Sequence, residues 1–399
     1  MKPNVLVVTT YYHPVVGGVE IHARQLVRYL HTHGFGVEVV TKRVHTHDAK
    51  RGLIDAVPVR RLGPTGERRA SGKWVMLPAL ARRLFTHRHR YDVIVCVDYR
   101  GIGVAAILLG DVLGKPVIAQ GEVAGVLAGP EAGSASGLPM ESPVERWLKA
   151  PIRAVYRHAD AIVCIGRDLE REALHAGVPA DRVNYIPHGV DLTRFRRPDL
   201  GERDELRREF GWPIDRPIVL FVGRLSREKG VSDLMDAWRI ADRGDAMLVL
   251  VGPDMTGHPW DAGAAARAFV QANGLAASVR FEGGVDDPAR FYRAADVFVQ
   301  PSHFEALGNT ALEAMASGLP VVTSGVGGLA DFCTDGHSAL LHRAHSPESL
   351  AEALGRVLHD APLRRRLAVG GQSIVEARFE LESLMARYAA LIESVAGAR

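Results

Sequence analysis

Apolar residues along this chain fall into two recurring patterns: short β-branched runs, and longer stretches in which apolar positions return every three or four residues. The first pattern marks buried strands and the second marks helices with one apolar face. Strands are predicted over residues 5–9, 37–41, 57–60, 93–97, 117–120, 161–165 and 183–186, and again over 218–222, 247–251, 279–281, 297–300, 321–323 and 339–341. Helical spacing fills the gaps, and this alternation predicts an α/β fold of parallel sheets flanked by helices. After Gly18, Val19, Ala23, Leu26 and Leu30 line one helical face and Gly34 ends it. Residues 121–137 are rich in Gly, Ala, Ser and Pro without periodicity, which predicts a long loop above the carboxyl ends of the strands.

The alternation breaks once, at residues 194–198, which are charged and turn-prone. A domain boundary is expected there, giving one domain over 1–195 and a second over 196–377, and 399 residues suffice for two cores. In the final segment, Leu384, Tyr388, Leu391 and Ile392 share a helical face.

Composition narrows the function classes. With 47% hydrophobic and 24% charged residues the chain is not a mostly disordered one. Cys96, Cys164 and Cys333 lie far apart, which excludes a disulfide framework or a thiolate zinc site and reads as buried, reduced thiols. The apolar run at residues 5–8 is too short for a signal-peptide core, and a run of about 18 apolar residues is absent, so a cytoplasmic enzyme is expected.

The net charge of +3 conceals a cluster: Arg60, Arg61, Arg68, Arg69, Lys73, Arg82, Arg83, Arg88 and Arg90 fall close together. Residues 73–90 also carry Trp74, Val75, Leu77, Leu80, Leu84 and Phe85, so a helix there has an apolar face and a basic one. Two readings follow: a half-buried helix with a solvated face, or docking to an anionic lipid surface or a phosphorylated acceptor at the inner face of the membrane. Nucleic acid is not expected as a partner, because aromatic residues are not interleaved with the basic ones on strand-like segments.

Three segments carry candidate chemistry. Gly17 and Gly18 follow the first strand and open a helix, where backbone amides can approach an anion, although such a pair is more often tight-turn chemistry alone. Arg224 and Lys229, with Gly230, follow the strand 218–222, in the place where ligands sit in open parallel sheets, and two cations there suit a diphosphate. The third segment runs from Gln300 to Val322. Glu305 falls in a glycine-containing loop and Glu313 eight positions later, one turn inside a helix of about 309–317. The amides of Ala306, Leu307 and Gly308 point at an incoming ligand, and a carboxylate accepts hydrogen bonds from vicinal hydroxyls such as those of a ribose or hexose.

With these motifs on view, the sequence resembles the retaining GT-B glycosyltransferases of family 4. The resemblance spans nearly the whole chain: Gly17-Gly-Val-Glu20, His188-Gly-Val-Asp191, Val222-Gly-Arg224 with Lys229-Gly230, and two glutamates, Glu305 and Glu313, separated by seven residues. It implies two facing doubly wound domains with a cleft between them and a C-terminal helix, 378–399, joined to the first domain. It further implies that Glu313 holds the donor ribose, Arg224 and Lys229 the diphosphate, and Glu305 with the amides after it the transferred sugar.

Two positions depart from the family pattern. A histidine common in the family after the strand ending at Gln120 is replaced by Gln120-Gly121-Glu122, which makes Glu122 a candidate for orienting the acceptor hydroxyl. The glutamate of the usual Gly-Gly-x-x-Glu stretch is Asp331. The pairs His31/His33, His45/His47 and His87/His89 have i, i+2 spacing, which on a helix turns the rings apart, so no metal is assigned. No cofactor is expected beyond the nucleotide-sugar donor, since Arg224, Lys229 and helix N-termini can neutralise a diphosphate.

By the same resemblance, sugar transfer proceeds with retention, the departing phosphate oxygen taking the acceptor's proton. The acceptor, be it sugar, small molecule or lipid-linked, is not specified, and the nucleotide base is expected to meet backbone near 279–285. A nucleotide-sugar epimerase on a GT-B scaffold and a non-catalytic nucleotide-sugar binding protein are the alternatives.

Overall fold

A computed structural model describes residues 2–15, 17–63, 65, 76–129 and 141–398. The chain divides into two compact units, Met1–Gly189 with Glu382–Arg399 and Val190–Leu381. Each is an α/β unit built around one sheet.

The first unit contains β1 (Asn4–Thr9), β2 (Gly36–Lys42), β3 (Arg51–Ile54), β4 (Val57–Leu62), β5 (Val93–Val97), β6 (Val117–Gly121), β7 (Ala161–Cys164) and β8 (Val183–Tyr185), in the order β3-β4-β2-β1-β5-β6-β7-β8. All neighbours are parallel except β3 and β4. β1, β5, β6 and β7 are buried almost throughout, as continuous apolar runs covered on both faces should be. The order reverses between β1 and β5, and the carboxyl ends of those strands form the switch point where ligands bind in such sheets. Cys96 and Cys164 lie in β5 and β7, and with Cys333 are free and buried; burial pushes the Cys164 thiol up to about 12.

The second unit contains β9 (Ile218–Val222), β10 (Met247–Val251), β11 (Val279–Gly283), β12 (Val297–Gln300), β13 (Val321–Thr323) and β14 (Leu340–Leu341), parallel and in the order β11-β10-β9-β12-β13-β14. Its switch point falls between β9 and β12, which pair through Val219–Val297 and Leu220–Phe298. Val219, Phe221, Leu248 and Leu250 pack against Leu234, Trp238, Leu350 and Leu354 of the covering helices.

Two features differ from the sequence expectation, and a helix between them falls where helical spacing was expected. β3 forms an antiparallel hairpin with β4 through Asp55 and Ala56, both at positive φ. Exposed and short, β3 shows no apolar alternation. A helix, Pro143–Tyr156, begins at a Ser142/Glu145 capping box and carries Val144, Trp147 and Leu148 exposed, with Trp147 at 75%. The helix expected over 73–90 is observed over Leu77–Thr86, and its basic face is incomplete, because Arg83 is buried in an ion pair with Glu38. Arg68, Arg69, Lys73, Trp74 and Val75 lie outside the described residues, as does the part of the predicted 121–137 loop beyond 129. The nearer part of that loop is held by Glu172, whose carboxylate accepts from the amides of Gly125, Leu127 and Ala128 at 2.6–2.8 Å.

Candidate active site

In the second unit, the segments leaving β9 and β12 meet. Gly230 (φ +70°) approaches Pro301 so closely that an added Cβ would lie 2.0 Å from the Pro301 carbonyl oxygen; only glycine fits. That approach brings Lys229 to the loop after β12. Its Nζ donates to Oε1 of Glu305 at 2.6 Å, and the same oxygen accepts from Gln300 Nε2 (2.5 Å) and Ser302 Oγ (2.8 Å). Glu305 is buried, so three donors fix one oxygen of its side chain away from water. Arg224 lies in the same segment, more exposed, and pairs with Glu228.

The helix Asn309–Ala316 starts at Gly308, which adopts φ +100° and has no capping side chain. A Cβ there would collide with Leu329, so glycine is required for the loop to turn into the helix. Among the described residues, the amides of Ala306, Leu307 and Gly308 have no backbone acceptor. They can therefore serve a ligand oxygen, and the helix N-terminus favours a negative one.

Glu313 lies within this helix and accepts a hydrogen bond from the Tyr292 hydroxyl on Oε2 at 2.8 Å. The Tyr292 ring is fully buried between Phe195 and Phe298. Burial pushes the Glu313 carboxyl up to about 7, against the lowering effects of the Tyr292 hydroxyl and the Arg194 charge. Burial, reinforced by the Glu313 charge, raises the Tyr292 hydroxyl far above its ordinary range.

The first unit carries a second polar cluster by the end of β6. Gln120 Nε2 donates to Glu122 Oε1 (2.5 Å), and Glu122 Oε2 lies 3.4 Å from His188 Nε2. His188 stacks on His22 with ring centroids 4.0 Å apart, and His22 Nε2 lies 3.3 Å from Gln120 Oε1. All four are buried, and burial together with the neighbouring His188 drives His22 well below its usual value, so it is neutral. Gly17 (φ −174°, extended) precedes the helix Gly18–Thr32 without a side-chain cap, and a Cβ on it would meet the Glu20 carboxylate.

Lys229 and Glu305 are thus in direct contact, Arg224 and Glu313 belong to neighbouring segments of the same unit, and Gly17, Gly18 and Glu122 belong to the other. Sequence reading missed Tyr292, Gln300, Ser302, His22 and His188 as members of these clusters. Gln300 and Ser302 lie inside the segment already singled out and His188 in a quoted motif, whereas His22 becomes visible only when its ring reaches Gln120. The helical premise fails for two of the histidine pairs: His87 and His89 follow the helix that ends at Thr86, and His45 and His47 are not helical, their rings stacking at 5.1 Å.

Comparison with known proteins bears directly on this arrangement. Residues 16–194 match the family described as Glycosyltransferase Family 4, and residues 202–373 match Glycosyl transferases group 1. The D-inositol 3-phosphate glycosyltransferase of Xylanimonas cellulosilytica is 30% identical over 377 residues, covering 90% of this chain and 87% of that protein. The chain belongs to glycosyltransferase family 4. Among solved structures, sucrose-phosphate synthase from Thermosynechococcus elongatus matches with a TM-score of 0.80 and 26% identity over 99% of this chain and 100% of that one. Anabaena HepE, solved in complex with UDP, matches in fold with a TM-score of 0.78 at 19% identity, over 98% of this chain and 100% of that one. As a family 4 member the protein is a retaining glycosyltransferase of GT-B architecture that uses a nucleotide-sugar donor. This decides against the epimerase and the non-catalytic binding protein. Among the described residues, no helix is long and apolar enough to cross a membrane.

Proposed function

We propose that the switch point between β9 and β12 binds the donor, a nucleoside-diphosphate sugar, and that the polar cluster by β6 serves the acceptor. The observation that carries the donor assignment is the convergence of Lys229, Gln300 and Ser302 on one oxygen of buried Glu305. It presents a lysine ammonium in fixed geometry beside unsatisfied amides, the arrangement a leaving diphosphate needs. Arg224 and Lys229 take the diphosphate, Glu313 the ribose, and Glu305, with the amides of Ala306 to Gly308, the hydroxyls of the transferred sugar. Gly17 and Gly18, in the first unit, are proposed to offer amides to an anionic group at the start of their helix. Uridine is the first base to test, because HepE was solved with UDP. Calorimetric titration with UDP, GDP and ADP checks both points: one nucleotide binds wild type, and Glu313→Ala weakens it without unfolding the protein.

Glu122 replaces the expected histidine and is proposed to accept the acceptor hydroxyl's hydrogen bond. Glu122→Gln is expected to raise the acceptor KM or lower kcat about tenfold, since one hydrogen bond to a charged group is worth roughly 1.5–3 kcal/mol. UDP affinity should not change. A variant that loses UDP affinity equally would remove Glu122 from the acceptor side.

The acceptor is proposed to lie at an anionic membrane surface, which the protein meets peripherally from the cytoplasm. Exposed Arg82, Arg90 and Phe85, and the exposed Val144, Trp147 and Leu148, support this reading. Vesicles containing anionic lipid should sediment the protein at low salt and release it as salt rises, because screening confines such attraction to about 10 Å at 0.1 M. Trp147→Asp should reduce the sedimented fraction several-fold; no sedimentation of wild type at low salt would end the membrane reading.

A further inference from the structure

The second unit holds a group of side chains that neither the donor reading nor the family assignment uses. Asp233 stands in the first turn of the helix Val231–Ile240, His303 in the loop after β12, and His345 in the loop after β14. One ligand atom from each lies within 4.8 Å of the others, the one such group found among the described residues. His303 Nε2 lies 2.9 Å from Asp233 Oδ2, and the His303 and His345 rings are 3.8 Å apart at their centroids.

Two further observations point to a cation. His345 adopts φ +57°, a left-handed conformation that costs a non-glycine residue about 1–2 kcal/mol, yet it places an imidazole against another imidazole. His342 is 7% exposed and lies within electrostatic reach of Asp233 and His303. Its Nδ1 is 2.9 Å from the carbonyl oxygen of Arg343. A carbonyl can only accept, so Nδ1 carries the proton and Nε2 carries the lone pair. That Nε2 is buried without a hydrogen-bond partner. An imidazole whose Nδ1–H is held by a backbone carbonyl and whose Nε2 lone pair is unclaimed is prepared as a metal ligand.

We propose that Asp233, His303 and His345 bind one divalent transition-metal ion of the zinc type, with His342, which stands outside their 4.8 Å group, as a further donor. A carboxylate with two imidazoles makes a nitrogen-rich set suited to zinc, cobalt or nickel and poorly suited to magnesium or calcium, which prefer all-oxygen sites. The three ligand atoms already lie within 4.8 Å of one another, and His303 and His345 stand in loops, where small adjustments are tolerated. The ion ties the loop after β12 to the helix that follows Lys229. His303 already links these segments, its amide donating to the Glu228 carbonyl at 2.9 Å. The site is thus a structural clamp behind the Glu305 loop, and it requires no nucleotide, so its test is separate from that of the donor site.

The test uses the full chain without a polyhistidine tag, stripped with chelator and titrated with Zn²⁺ by calorimetry and with Co²⁺ by visible absorption. The expected result is one equivalent of either ion per chain, with the intense visible bands of low-symmetry cobalt. Magnesium should not compete. His345→Gly removes a ligand and relieves the left-handed residue, so the ligand-free variant should melt no lower than wild type while zinc affinity falls about a hundredfold or more. Asp233→Asn should lower affinity comparably, with the circular dichroism of wild type. His45→Ala/His47→Ala, which removes the stacked pair of the first unit, should leave stoichiometry and affinity unchanged. Absence of stoichiometric binding, or binding undiminished in both His345→Gly and Asp233→Asn, overturns the proposal.

Discussion

Lys229→Ala lowers kcat by about a hundredfold to a thousandfold at saturating donor, while the dissociation constant for the nucleoside diphosphate sugar rises far less. The lysine is not a mobile surface charge. Its ammonium is pinned 2.6 Å from Glu305, whose same oxygen is held by Gln300 and Ser302, and Gly230 locks the turn that delivers it. In the proposed donor site a preorganised cation of this kind would meet a diphosphate whose negative charge grows as the glycosidic bond breaks. Its interaction therefore strengthens along the reaction, and interactions that strengthen raise kcat instead of merely tightening binding. Loss of one such group typically costs about 3–4 kcal/mol. Arg224→Ala should act in the same direction. Turnover of Lys229→Ala that recovers fully at high donor, with only KM raised, would reduce the residue to a phosphate anchor.

Glu313→Gln weakens donor binding by about tenfold to a hundredfold and, without ligand, stabilises the protein at alkaline pH. The two effects share a cause. Burial holds the carboxyl at about 7, above the value near 4.3 expected in the unfolded chain. Between those values the folded state binds the extra proton, so stability is fully present below about pH 4 and is lost as pH rises through 7. Each tenfold gain in proton affinity on folding is worth about 1.4 kcal/mol, so the glutamine should recover up to about 4 kcal/mol at pH 8 and nothing at pH 4. The ionised form, by contrast, is the one that accepts hydrogen bonds from ribose hydroxyls. Wild-type donor affinity should therefore fall as pH drops below 7, and the Glu313→Gln profile should be flat. Tyr292→Phe removes the hydroxyl that lowers the carboxyl and should move the wild-type midpoint upward. Melting temperatures and titrations at pH 5 and pH 8 check these signs; a glutamine variant less stable than wild type at pH 8 would contradict them.

Much of the architecture was legible because continuous apolar runs such as 93–97, 218–222 and 247–251 can be stable only when covered on both faces, and each is a strand. β3 was hidden because its residues are exposed and its turn, Asp55-Ala56, lacks the glycine that usually marks a tight hairpin. The Pro143–Tyr156 helix falls in one of the gaps given to helical spacing, and Val144, Trp147, Leu148, Ile152 and Val155 do recur at that spacing; its bounds were hidden by Pro151 inside it and by the Gly- and Pro-rich stretch before it. Arg83 shows the limit of helical-face reasoning: it points inward because Glu38, forty-five positions earlier, supplies its charge partner. At the site, the string from Gln300 to Glu313 was recognisable since strand end, glycine and helix start are local features. The Tyr292–Glu313 bond and the Gln120, Glu122, His22 and His188 cluster join segments that only the folded sheets bring together.

The central claim is that this chain transfers a sugar with retention from a nucleotide donor held at the β9/β12 switch point. Proton NMR of the purified protein incubated with a panel of nucleotide sugars, followed in real time, tests it without knowledge of the acceptor. The account predicts release of free nucleoside diphosphate from one donor by slow hydrolysis, with the sugar's first-formed anomer matching that of the donor, and loss of this release in Lys229→Ala. Release of the opposite anomer, or release undiminished in Lys229→Ala, would contradict it.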